Sequence, residues 1–197
     1  MKSFSQRGLL LFGVMLVVSA FVVPAMASAA SWSILGTTHQ LFSPNLAFTA
    51  HTGPLGDAGS SCAGSEFDAD VASANTLVIT SGRFSNCTGT QNASNCVATP
   101  VQTGVWTATA TDTTNIQIHN VAVDVFFEGT PGVCLANGAS VLLTGTLRGG
   151  SWNPTSNEAF FTNATGLSAH FIPNNITSST TVTGTIRDTS NTLRMFM

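Results

Sequence analysis

The chain has 197 residues, and only 8% of them are charged, against roughly 25% in an average soluble domain. Its 6 Lys and Arg residues face 9 Asp and Glu residues, and two of the six basic residues lie within the first 29 positions. The remaining chain therefore carries four basic against nine acidic residues, a net charge of −5. Nucleic-acid binding is set aside and an anionic membrane surface is disfavoured, because both need clustered Lys and Arg.

The N-terminal segment has the three-part pattern of a secretory signal. A basic start precedes an apolar run over 9–23, and small residues then allow cleavage after Ala27 or Ala29. The apolar run is about 15 residues long, which is shorter than the roughly 20 that cross a bilayer. We therefore expect 1–29 to be a cleaved signal peptide and 30–197 to be a single exported domain that does not span a membrane.

Alternation of apolar and polar residues predicts β-strands along the rest of the chain. Thr, Ser, Asn and Gly take the place of charged residues, and this composition favours pleated strands and tight turns. The strand candidates are 33–41, 46–51, 65–71, 76–84, 105–111, 116–127, 140–148, 158–163, 166–171, 180–187 and 192–196, and the loops fall at 52–61, 129–138, 149–157 and 173–179. The prediction is an all-β domain, a two-sheet antiparallel β-sandwich with Greek-key-like connections.

The most concentrated polar feature is a group of three acids, Glu66, Asp68 and Asp70. On a strand they share one face, with neighbours ~7 Å apart. A solvated strand face that discourages edge aggregation is the favoured interpretation. The alternatives are a calcium site completed by Asp57 from the preceding loop, and a carboxylate pair of a glycan hydrolase.

Four cysteines follow the signal segment, and an even number in an exported chain predicts two disulfides. Cys62 and Cys87 lie symmetrically about a predicted turn near Ala74. Cys96 and Cys134 bracket a second predicted hairpin that turns between Thr111 and Asn115. We therefore predict the pairs Cys62–Cys87 and Cys96–Cys134. No closely spaced cysteine pair suggests a zinc site.

Two further positions carry local predictions. The alternation changes phase near His119 and Asn120, and a β-bulge there would keep one face of the strand in the core. Trp106 lies among alanines in mid-strand and is predicted to be core. Trp152 lies in a loop of Gly, Asn and Pro, where it either packs in the turn or is exposed for ligand stacking.

Several stretches resemble the PraB-like family of secreted alkane-oxidation activators and similar exported bacterial β-proteins. The similar stretches occur in order over about residues 40–170: Phe42–Pro44, Phe48–Ala50, Ile79–Cys87, Gly104–Thr107 and Asn157–Ala164. The strands after about residue 178 depart from that family. The resemblance implies an exported protein that aids growth on hydrophobic substrates, and it supplies no catalytic residue.

No serine, cysteine or histidine constellation in the sequence predicts a catalytic centre. We expect a non-enzymatic secreted or cell-surface protein that acts in binding, adhesion or matrix formation, with a glycan or apolar material as partner. Calcium is the one cofactor considered. The alternatives are a fibre subunit that self-associates by strand exchange through residues 31–41 or 193–196, and a glycan hydrolase that uses Glu66, Asp68 and Asp70.

Overall fold

The computed structural model describes residues 30–32, 35–53, 56–172 and 174–196, so the predicted signal peptide lies outside the described residues. None of the described residues forms a helix long and apolar enough to cross a membrane. The described chain is all-β, as the alternation predicted. Its strands are β1 (Ser31–Trp32), β2 (Thr38–Ser43), β3 (Leu46–His51), β4 (Asp57–Ser73), β5 (Thr76–Gln91), β6 (Val97–Gln102), β7 (Trp106–Ala110), β8 (Asn115–Glu128), β9 (Ser140–Asn153), β10 (Glu158–Phe171), β11 (Ile176–Asp188) and β12 (Met195–Phe196).

Ten of these strands form one antiparallel sheet that closes into a barrel with eight strand positions. Strands β2 and β3 both pair with β4 and together fill the first position. Strands β6 and β7 fill the fourth position in the same way, between β5 and β8. The last position, β11, pairs with β2 and β3 and so completes the ring. The connectivity is that of an up-and-down meander.

The predicted two-sheet sandwich is therefore wrong, because the main sheet closes on itself instead of dividing into two layers. Several glycines and asparagines that suggested turns in the sequence lie inside long strands. A β-carbon on Gly166 would overlap the backbone oxygen of Thr146, and one on Gly145 would overlap that of Gly166. These glycines let β9 and β10 approach where their register shifts. Glycine kinks and bulges of this kind coil a sheet until it can close.

Apolar side chains on the inner face of the sheet fill the barrel. Phe67, Trp106 and Phe161 are all buried, and the Phe67 ring lies 5.9 Å from the Trp106 ring, centroid to centroid. The prediction that Trp106 belongs to the core is confirmed. The barrel interior is thus a packed core, as expected for eight strands.

Strand β8 contains the predicted bulge. Ile118 and Val121 are both buried although their positions have opposite parity, and the pairing with β9 shifts register between them. Asn120 adopts a left-handed backbone conformation with φ 56° at this point. The extra residue returns the following apolar positions to the core face.

The two disulfides of the described chain join Cys62 to Cys87 and Cys96 to Cys134, which is the predicted pairing. Cys62 and Cys87 face each other across β4 and β5. This bridge lies within the hairpin, because both strands extend beyond the predicted ranges 65–71 and 76–84. The second bridge joins the residue before β6 to the connection between β8 and β9.

The two ends of the barrel differ. At one, the closed end, the β1–β12 pair lies beside the connections 74–75, 111–114 and 154–157. Trp32 and Trp152 meet there edge to face, with 5.5 Å between ring centroids. Trp152 is only 5% exposed, which agrees with the interpretation of this residue as packed and not with the alternative of a ligand-stacking tryptophan at the surface. Trp152 lies near the end of β9 and not in the predicted loop 149–157, and burial of its large apolar indole stabilises this end of the barrel.

Candidate ligand site at the open end

The opposite end of the barrel, the open end, is formed by the connections 52–56, 92–96, 129–139 and 172–175. Residues 54, 55 and 173 within them lie outside the described chain. Large aliphatic side chains project from these connections: Val133, Leu135 and Ile172 are each more than half exposed, and Leu135 reaches 78%. Connections between strands at the surface are usually polar, so exposed apolar side chains there indicate an interaction site.

A depression of about 400 Å³ lies inside this rim. Aromatic and aliphatic side chains make up most of its wall, and backbone and small polar groups make up the rest. The lining residues are Thr52, Gly56, Ala58, Asn92, Phe127, Leu135, Ala136, Ala139, Val141, Phe171, Asn174 and Ile176. None of these residues is charged. The depression has the size and the mainly apolar lining typical of small-molecule sites in barrel mouths.

A smaller void of about 20 Å³ lies within the barrel just below the depression. The two share Ala58, Phe127, Val141 and Phe171 in their walls. The wall of the void also includes Ser60, which is 1% exposed and whose hydroxyl has no hydrogen-bond partner among the described residues. A void of this size holds about one water molecule or one ligand atom with its hydrogens.

The connection 129–139 is braced, so that Leu135 is held at the rim. The Cys134 N–H donates to the Thr130 carbonyl over 2.9 Å, and the Gly138 N–H donates to the Phe127 carbonyl over 2.9 Å. The disulfide to Cys96 ties the same connection to the neighbouring connection 92–96. A site built on braced loops requires little ordering when a ligand binds.

A contact between a histidine and an aspartate lies at the rim outside the depression. The Nδ1 atom of His51 lies 3.1 Å from the Oδ2 atom of Asp57, and both side chains are partly exposed. The other ring nitrogen of His51 lies 3.0 Å from the hydroxyl of Thr181. Neither His51 nor Asp57 lines the depression.

The three strand acids lie on the outer wall of the barrel. Glu66, Asp68 and Asp70 share the outward face of β4, as predicted, while the residues between them point into the core. The Ser81 hydroxyl donates a 2.6 Å hydrogen bond to Asp68, and the Thr38 hydroxyl donates one of 2.6 Å to Asp70. These neutral partners hold two of the three carboxylates apart along the strand.

The predicted calcium set does not come together. Asp57 begins β4, nine positions before Glu66, and the two are therefore about 30 Å apart along the strand. Across the part of the chain that the structure describes, no group of three or more His, Cys, Asp or Glu side chains could hold a metal ion. The groove beside Glu66 and Asp68, which Arg83 also lines, has a volume of about 90 Å³, less than a quarter of that at the open end.

Asp188 accepts several hydrogen bonds at the closed end. Burial by itself would raise the pKa of this carboxyl, but the N–H of Leu193, the hydroxyl of Ser190 and the N–H of Thr192 donate to it over 2.7–2.8 Å and lower the pKa to about 2. The ring of His39 lies 3.4 Å from the same carboxylate. The ionised carboxylate thus holds the segment that runs from β11 to β12, which is a structural role.

The turn predicted between Thr111 and Asn115 is present, and Asp112 stabilises it. The side-chain amide of Asn115 and the N–H and hydroxyl of Thr114 donate to the Asp112 carboxylate, and these bonds lower its pKa to about 2. Asp112 is fully exposed at the closed end, far from the depression, so it serves the turn and not the site.

The residues that line the open end were missed by the sequence reasoning. Leu135 and Phe171 lie in or beside predicted loops, and Ser60 was assigned to the loop 52–61 although it lies in β4. One signal was available: Val133 and Leu135 are aliphatic residues within a Gly- and Pro-containing loop. Val133 and Leu135 lie near residues of the β3–β4 and β10–β11 connections only because the barrel closes.

Comparison of the chain with family models, curated proteins and solved structures found no match. The resemblance to the PraB-like family therefore stays a prediction. The two disulfides fit a protein that folds in an oxidising, extracellular environment.

Proposed function

We propose that this protein is exported and, without acting as an enzyme, binds apolar material through the open end of its barrel. One observation carries the proposal: at that end, connections with exposed aliphatic side chains, Leu135 among the lining residues, lie beside a depression of about 400 Å³ that no charged side chain of the described residues lines. Clustered apolar exposure on a soluble protein marks an interaction site. Apolar chains or an apolar surface would bury both the rim and the depression.

The free energy available from the rim is substantial. Full burial of a leucine side chain contributes roughly 1.5–3 kcal/mol, and most of the Leu135 side chain is exposed in the free protein. Val133 and Ile172 add to this, since each is more than half exposed. The bracing of the 129–139 connection limits the conformational entropy that binding would cost.

Other sequence features support an extracellular role with apolar material. The secretory pattern over 1–29 and the two disulfides agree with export. The PraB-like resemblance implies growth on hydrophobic substrates. A glycan partner has less support, because all three tryptophans, the usual platforms for sugar stacking, are buried.

The fibre and hydrolase alternatives have no comparable observation in their favour. Within the described strands, the segments named as donors already have partners: β1 pairs with β12, and β2 pairs with β4 and β11. A hydrolase would have to use the acids of the outer wall, where Ser81 and Thr38 already hold Asp68 and Asp70.

The test uses the exported protein and hexadecane droplets. Leu135→Ser removes an exposed leucine at the open end, and Leu35→Ser, at the closed end, is the matched control because Leu35 is also 62% exposed. We expect Leu135→Ser to weaken droplet binding by about tenfold, in line with the burial of one leucine, and Leu35→Ser to leave it unchanged. Equal effects of the two substitutions, or no binding by the wild-type protein, would overturn the proposal.

A further inference from the structure

The void below the open end contains a polar group whose hydrogen-bonding capacity is unused. Ser60 is buried to 99%, and its hydroxyl has no partner within the described chain. A buried hydroxyl without a partner is unfavourable, since it loses its bonds to water and gains none in return. Its position in the wall of the void makes it the polar group that a ligand reaching through the depression would meet.

The surroundings of Ser60 restrict the chemistry of that ligand. The void is otherwise lined by aliphatic and aromatic side chains, with the small residues Ala50, Ala58 and Gly59 on one wall. Among the described residues, no charged side chain lines either the void or the depression above it. An ionised head group entering here would be desolvated without a counter-charge, which is strongly unfavourable. A neutral hydroxyl also loses its bonds to water, but this loss is far smaller than that of an ion, and a hydrogen bond to Ser60 offsets it.

We infer that the open end takes an unbranched aliphatic chain whose inner end carries an uncharged oxygen, as in a primary alcohol, hydrogen-bonded to the Ser60 hydroxyl. The hydroxyls of Ser60 and of an alcohol can each donate or accept, so the pair can form in either direction. The rest of the chain lies in the depression against Phe127, Val141 and Phe171. This inference rests on the proposed function and adds the chemical class of the ligand.

The experiment compares three probes of one chain length: n-octanol, n-octane and octanoate at neutral pH. Dissociation constants are measured by isothermal titration calorimetry with the exported protein. Where ligand solubility limits the titration, they are measured from NMR chemical-shift changes instead. We expect n-octanol to bind about fivefold more tightly than n-octane, the gain from one neutral hydrogen bond, and octanoate to bind more weakly than either.

Two serine variants test whether the preference for n-octanol over n-octane depends on the Ser60 hydroxyl. Ser60→Ala is expected to remove the fivefold preference for n-octanol while leaving the affinity for n-octane unchanged. Ser65→Ala is the matched control, because Ser65 is also fully buried, has an unpartnered hydroxyl and does not line the void. It is expected to keep the preference. Neither variant should lower the unfolding temperature, since neither substitution removes a hydrogen bond of the free protein.

The outcomes separate this inference from the proposed function. If n-octane and n-octanol bind equally to the wild-type protein, or if Ser60→Ala keeps the preference, the alcohol assignment is overturned while apolar binding stands. If neither n-octane nor n-octanol binds and the droplet assay is also negative, the proposed function itself fails. Tight binding of octanoate would contradict the exclusion of charge.

Discussion

Cys96 and Cys134 are joined at the open end, so the connection that carries Leu135 is fastened to the residue that precedes β6. The bridge spans 38 residues of sequence and joins two neighbouring connections of the barrel. It thus links the stability of the fold to the shape of the candidate site.

Replacing this pair gives the first prediction. For a loop of this length, the chain-entropy model gives a loss of about 4 kcal/mol in the free energy of unfolding for Cys96→Ala/Cys134→Ala. We also expect binding of n-octane to weaken, because the loop that carries Leu135 loses its tether. Urea denaturation and titration measure the two effects.

The other disulfide provides the control. Cys62→Ala/Cys87→Ala should destabilise the protein by a similar amount, because its bridge spans 25 residues. It should leave n-octane binding intact, since neither cysteine lines the depression. Equal losses of binding in both double variants would contradict the link between the Cys96–Cys134 bridge and the site.

A second prediction concerns the loss of stability at acidic pH. The folded pKa of Asp188 is about 2, below its ordinary value of 3.8, so the ionised carboxylate stabilises the folded state. This contribution, about 2 kcal/mol, is fully present above pH ~4 and is lost as the pH falls towards 2. Asp188→Asn should therefore be less stable at neutral pH and lose less stability on acidification. Denaturation curves at neutral pH and near pH 2 decide this, and parallel pH profiles of wild type and variant would refute it.

The tryptophan pair of the closed end supplies a third prediction. Trp152→Ala should lower the free energy of unfolding by about 3–5 kcal/mol, because it leaves a cavity beside Trp32. Trp152→Phe should cost less. Both variants should retain n-octane binding if they remain folded, since the pair lies at the opposite end from the depression. A Trp152→Ala variant with unchanged stability and impaired binding would show that the tryptophan serves a ligand.

Barrel closure can be tested at a glycine. Gly166 has a positive φ of 102°, and a β-carbon there would overlap the Thr146 backbone oxygen. Gly132 also has a positive φ, 82°, but nothing lies near its missing side chain. Gly166→Ala should therefore cost about 1–3 kcal/mol more than Gly132→Ala. Thermal unfolding of the two variants compares them, and equal losses would mean that β9 and β10 do not approach closely at Gly166.

Local features of this protein could be read from its sequence, because they depend on neighbouring residues. Alternation along Glu66–Val71 determined which side chains face outward, and the change of phase at Asn120 located a bulge. The symmetry of Cys62 and Cys87 about their turn determined a disulfide. Each of these depends on contacts within one strand or one hairpin.

Only the tertiary structure decided between a sandwich and a barrel. That choice depends on hydrogen bonds between β11 and the strands β2 and β3, which lie at opposite ends of the domain in sequence. Closure then placed Ser60, Leu135 and Phe171 around one opening and buried Trp152 at the other end. No local pattern encodes such placements, because they follow from which distant strands meet when a coiled sheet completes its ring.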